Sequence, residues 1–75
     1  MTEKTLIFGK DTWPFTTEAR EAYKHKGEAF EYINVLSNPD KLKTMLKHSN
    51  GTREVPVIVK GDSIAIGYKG KSWGV

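Results

Sequence analysis

A chain of 75 residues and 8.5 kDa forms one domain over residues 1–75, because so short a chain buries only about 60% of its unfolded surface and cannot divide its core. Leu, Ile, Val and Phe make up about 23% of it against 28% charged residues, just above the composition of disordered chains. The lack of cysteine excludes a disulfide framework, a thiolate metal site and a thiol nucleophile, and a net charge of +3 is too small to mark a nucleic-acid partner.

Most of the basic residues stand among acidic neighbours, as on a solvated face, so no nucleic acid is expected. No apolar run approaches the ~20 residues that span a bilayer, and the start lacks the apolar stretch of a secretory signal. The expectation is a cytoplasmic protein with no membrane partner.

In chain order, Thr5-Leu-Ile-Phe8, closed by Gly9, reads as a buried strand. The apolar period then changes: Phe15, Ala19, Ala22 and Tyr23 fall on one helical face, with Pro14 suited to the first turn and Gly27 to the C-cap, which predicts a helix over 14–26. Phe30–Val35 resumes a strand. Asn38-Pro39-Asp40 starts a second helix in which Leu42, Met45 and Leu46 share a face, and Asn50-Gly51 stops it. Val55–Val59 reads as a third strand and Ile64–Ile66 as a fourth, joined by a hairpin loop at Lys60–Ser63. The remainder, Gly67–Val75, holds too much glycine for a helix. His25 and His48 fall near helix C-termini, where the dipole favours a cation, and with no third ligand in view no metal site is expected. The order β-α-β-α-β-β predicts an α/β architecture. A right-handed crossover makes the first two strands parallel, and a hairpin makes the last two antiparallel.

That order, with the run Lys10-x-x-Trp13-Pro14-Phe15-Thr16 opening a helix, Val55-Pro56 at the third strand and Gly67-Tyr68 after the fourth, resembles the glutaredoxins. The likeness runs from Leu6 to about Tyr68. It implies a thioredoxin-like, glutaredoxin-type fold with a four-stranded mixed sheet. It also implies thiol–disulfide exchange with glutathione or protein disulfides as partners, glutathione being a co-substrate and no resident cofactor being needed. In the family the motif is Lys-x-x-Cys-Pro-Tyr-Cys, so Trp13 stands at the nucleophilic cysteine, Phe15 at the tyrosine and Thr16 at the resolving cysteine. The resemblance gives Lys10 a glutathione carboxylate to contact. It also implies a cis Val55–Pro56 bond that leaves the backbone of Val55 free for an extended peptide. Gly67 and Tyr68 match the row that holds the γ-glutamyl end of glutathione, but Ile66 and Lys69 depart from the flanking glycine and acid.

Asp11-Thr-Trp-Pro-Phe-Thr-Thr17 is also similar to the selenocysteine-x-x-Thr motif of small bacterial glutaredoxin-like selenoproteins, with one letter changed. Selenocysteine is encoded by UGA, one base from the UGG of tryptophan. Trp13 therefore reads as a native selenocysteine replaced in this chain, which is redox-inactive while the indole stands there. Thr16 would then donate a hydrogen bond to the selenolate. Trp73 is either a second such position or a hydrophobic plug. The alternative is a non-catalytic thioredoxin-like module that binds peptides or glutathione-like ligands. Typical glutaredoxins continue into a further helix beside the first. Without it, apolar sheet surface on that side should be open, covered by the tail or by a second copy in a weak homodimer.

Overall fold

The computed structural model describes residues 4–75. Its elements are β1 (Thr5–Gly9), α1 (Pro14–His25), β2 (Phe30–Asn34), α2 (Pro39–His48), β3 (Glu54–Val55), β4 (Val57–Lys60), β5 (Ser63–Ile66) and β6 (Trp73–Gly74). Four strands form a mixed sheet in the order β2-β1-β4-β5, with β1 parallel to β2 and antiparallel to β4, and β5 antiparallel to β4. The central strands β1 and β4 are covered on both faces, which is why they read as continuous apolar runs rather than alternating ones.

Each face of the sheet has its own core. Phe8, Val35, Met45, Val55, Val57 and Val59 pack on the α2 side, with Leu42 and Leu46 of α2 laid against them. Ile7, Ala19 and Ile58 pack on the α1 side, flanked by Tyr23, Phe30, Tyr32 and Tyr68. Local signals set the helix ends. The Asn38 side chain accepts from the Asp40 N–H at 2.8 Å, Pro39 takes the first turn, and Asn50 and Gly51 end α2 at φ 56 and 88.

Three features differ from the sequence expectation. The run Val55–Val59 is not one strand: Pro56, which has no N–H to give a ladder and whose bond from Val55 is cis, divides it into β3 and β4. Val55 pairs with Trp73 in a separate two-stranded ribbon, while Val57 stays in the main sheet between Phe8 and Ile66. Secondly, the inward row of α1 is Thr16, Ala19 and Tyr23 rather than the row led by Phe15, because Gly9 lets the helix approach closely enough to seat a threonine. Finally, the open apolar surface lies on the opposite side from the one expected. Ile58 on the α1 side is 6% exposed, under cover of the neighbouring aromatic rings. Ile64 and Ile66, level with Val59 and Val57 on the α2 face, are 45% and 44% exposed. Of the segment after β5, Tyr68 packs on the sheet on the α1 side, as expected of the tail, while the last strand runs to β3.

Candidate active site

The site forms where β1 hands over to α1. The Trp13 N–H donates to the Lys10 carbonyl at 3.2 Å, closing a tight loop, and Trp13 then takes the N-cap of α1 with extended backbone. A cap residue ordinarily offers a side-chain acceptor to the amides of the first turn. An indole has none. Pro14 has no N–H, and the Thr16 N–H is taken by the Trp13 carbonyl at 3.0 Å, so the amide left for a side chain at position 13 is that of Phe15. Position 13 thus sits at the positive end of the helix with no acidic residue in the first turn to neutralise it.

Around it stand three aromatic or cationic groups, Phe15, Trp73 and Lys10. The Trp13 ring lies 5.2 Å from Phe15 and 5.1 Å from Trp73, and the Lys10 ammonium sits 4.5 Å above the Trp73 ring. Trp13 also packs on the core cluster that contains Val55. Two polar atoms here are buried without a partner among the described residues, the Trp13 Nε1–H and the Thr16 hydroxyl, and Thr16 itself is completely buried.

Among the residues singled out from sequence, the structure groups Lys10, Trp13 and Phe15 together, with Val55 beside them. Gly67 joins through its N–H, which donates to the Pro56 carbonyl at 2.7 Å. Pro14 is exposed on the first turn of α1, and Tyr68 packs beneath α1 with Ile7, Ala19 and Ile58. Trp73, given two readings from sequence, lies tilted at 45° against Trp13. Among the described residues no three His, Asp or Glu side chains converge, and no helix is long and apolar enough to cross a membrane.

Sequence reasoning missed two supports. Tyr32 of β2 donates to the Asp11 carboxylate at 2.5 Å and so ties down the loop before Trp13, while the Arg20 guanidinium lies 4.0 Å over its ring. Arg53 Nε donates to the Val75 backbone oxygen at 2.8 Å. Neither has a local signal, since the paired residues lie more than twenty positions apart.

Burial first, and then the bond to the Asp11 carboxylate, pushes the Tyr32 hydroxyl well above its usual range. A raised acid stabilises the fold in its protonated form, so this contribution is complete below the unfolded value of about 10 and declines as pH rises beyond it. The protein should therefore lose stability from about pH 10 upward more steeply than its Tyr32→Phe variant, as followed by urea midpoints across alkaline pH. Parallel slopes for the two would show that the hydroxyl is not tied in this way.

The family model for glutaredoxin matches residues 5–64. Among solved structures, the chain is similar to the crystal structure of a glutaredoxin, grx-1, from Archaeoglobus fulgidus. The TM-score is 0.75 and the identity 28%, over 92% of this chain and 78% of that one. No curated protein sequence matches it. The fold is the thioredoxin-like, glutaredoxin-type α/β fold, and the chain belongs to the glutaredoxin family. Its family supports a thiol–disulfide oxidoreductase-like function. Glutaredoxins in general act on glutathione and disulfide substrates.

Proposed function

We propose that the native form of this protein is a cytoplasmic thiol- or selenol–disulfide oxidoreductase whose nucleophile belongs at position 13, and that it is inactive while Trp13 stands there. The observation that carries this reading is the buried hydroxyl of Thr16, a donor without an acceptor three residues after the helix cap. An orphaned buried donor costs about 1–3 kcal/mol and calls for a reason. An anion at position 13 supplies one: it accepts from the Thr16 hydroxyl and the Phe15 amide, while the helix dipole and Lys10 favour its charge. Trp13 supplies no acceptor and buries its own N–H unpaired.

The chemistry is an exchange. The selenolate or thiolate attacks one sulfur of a substrate disulfide, the other sulfur leaves as a thiolate, and a mixed (selenenyl) disulfide is left on the protein. A glutathione thiolate then attacks the substrate sulfur of that bond and regenerates the nucleophile. With Thr16 at the second position there is no internal thiol to resolve the intermediate, so this step falls to a co-substrate.

Val55 is the backbone partner for an extended chain beside the nucleophile, a place that Trp73 holds in this structure, and Gly67 closes the floor through its bond to Pro56. Lys10 steers a carboxylate, Phe15 and Pro14 shape the rim, and Tyr68 supports α1 from below. A second reading, a non-catalytic module, draws on the tilted contact of Trp73 with Trp13, which gives the indole a packing partner. The codon of residue 13 separates the two. UGA in the native gene makes the authentic protein a selenoenzyme; UGG with an inert Trp13→Cys variant makes it a binding domain.

A further inference from the structure

The edge of β3 beside position 13 is already occupied. β6 runs antiparallel to β3, with Glu54 opposite Gly74 and Val55 opposite Trp73. The Val75 N–H donates to the Arg53 carbonyl at 2.9 Å, and the Arg53 guanidinium returns a bond to the Val75 oxygen. Narrow and wide pairs alternate along an antiparallel ladder, so if Arg53 and Val75 form one hydrogen-bonded pair, Val55 and Trp73 form the next. Ser72 donates to the Glu54 carboxylate, and the Trp73 ring meets both Trp13, at 5.1 Å, and the Lys10 ammonium, at 4.5 Å.

We propose that the β3 edge is a groove for an extended polypeptide bearing an aromatic residue beside position 13, and that Ser72–Val75 fills it in cis as a detachable strap. This rests on the reading of Val55 as the residue that pairs with substrate. The strap holds the backbone groups a substrate strand would need, so one must leave before the other binds.

The way the segment is held makes it detachable. Its root is firm: Tyr68 is packed on the α1-side core, and Tyr68 and Lys71 exchange two backbone bonds of 2.8 and 2.9 Å around a turn with Lys69 and Gly70 at positive φ. Beyond Lys71 the strand is two residues long, Trp73 is half exposed, Gly74 brings no side chain to the contact, and Val75 alone lies partly buried against the α2-side core. Few buried apolar contacts and exposed ladder bonds are the marks of a unit that opens without global unfolding. The side chain lodged against Trp13 is a large aromatic under a cation, which makes an aromatic polypeptide segment the ligand that reproduces every contact of the strap.

The test uses the full-length chain and, as probe, an acetylated, amidated peptide of the sequence Lys-Ser-Trp-Gly-Val, titrated by amide NMR. Val75→Pro removes the donor to Arg53, and Trp73→Ala removes the ring. Both variants should bind the peptide about tenfold or more tighter than the unaltered chain, because the competent fraction rises as the strap is released, with shifts at Arg53, Glu54 and Val55. Equal affinity in all three proteins, shifts away from β3, or no binding to either variant overturns the proposal. Hydrogen exchange of the unaltered chain gives an independent check: the Val75 amide should exchange far faster than that of Ile58, and equal protection overturns a detachable strap. If the Trp13→Cys protein catalyses exchange but peptide affinity ignores Val75→Pro, the strap fails alone. If that protein is inert but the peptide competes, the redox reading fails alone.

Discussion

Trp13→Cys should give a protein that exchanges with a small disulfide such as glutathione disulfide, where the unaltered chain is expected to show no exchange. The thiol introduced there should titrate well below the ordinary value of about 8.5. The cap position sets this expectation. The Thr16 hydroxyl is a buried donor without a partner among the described residues, no acidic side chain competes in the first turn, and Lys10 lies within the same cluster. The gain in rate from acidity alone is modest. Lowering the pKa to about 6.5 raises the thiolate fraction at pH 7 from about 3% to about 75%, while intrinsic nucleophilicity falls about eightfold, leaving about a threefold gain. A larger acceleration over a free thiol must come from positioning of the disulfide along β3. Thr16→Val in the Trp13→Cys background removes a hydrogen bond to a charged group, worth about 1.5–3 kcal/mol, and should raise the thiol pKa by about one to two pH units. Thiolate absorbance against pH and exchange rates read both effects. A folded Trp13→Cys protein with an ordinary thiol pKa and no exchange would sink the proposed function.

The parts of this fold that the sequence made legible are those governed by neighbours along the chain. Pro39 after Asn38 and Gly51 after Asn50 mark the ends of α2 because capping is a matter of consecutive residues. The apolar runs of β1 and β4 are legible for a similar reason, since burial on both faces leaves no polar alternation. What could not be read depends on partners distant in sequence. Phe15 and Thr16 are adjacent on α1, and helical spacing favours the larger apolar one as the inward residue. It is Gly9, on another element, that decides for Thr16. The pairing of Val55 with Trp73 was hidden too, because a two-residue strand has no period to detect. Positions 10, 13 and 16 are legible only through a likeness to the family motif, whose cysteines this chain lacks; that the Thr16 hydroxyl is buried without a partner appears only in three dimensions.

Gly9→Ala should be among the most damaging single-methyl additions available in this protein. A methyl group built on Gly9 would lie 2.4 Å from the Cγ2 of Thr16 and 2.8 Å from its Oγ1, far inside van der Waals contact. The clash cannot be relieved cheaply. Thr16 is β-branched, fully buried and fixed in the first turn of α1, and Gly9 is held in β1 opposite Asn34. Either α1 moves off the sheet or β1 bends. Overpacking of this kind costs about 1–3 kcal/mol. A domain of this length has about 4–11 kcal/mol in all, and each kcal/mol moves the melting temperature by about 4–8 °C. A fall of about 5–20 °C is expected. Thr16→Ala removes both of the close atoms, so the double variant should recover at least about 1 kcal/mol relative to additivity, a coupling that thermal or urea unfolding measures directly. Additive losses, or an unchanged melting temperature for Gly9→Ala alone, would show that α1 is not seated on β1 through this contact. The same displacement shifts the cap of α1 relative to Lys10, so in the Trp13→Cys background Gly9→Ala should also slow disulfide exchange. Recovery of that rate with Thr16→Ala is not expected, because the hydroxyl that supports the thiolate is lost with the clash. Stability and activity therefore separate in the double variant, as they must if Thr16 both seats the helix and serves the anion at its end.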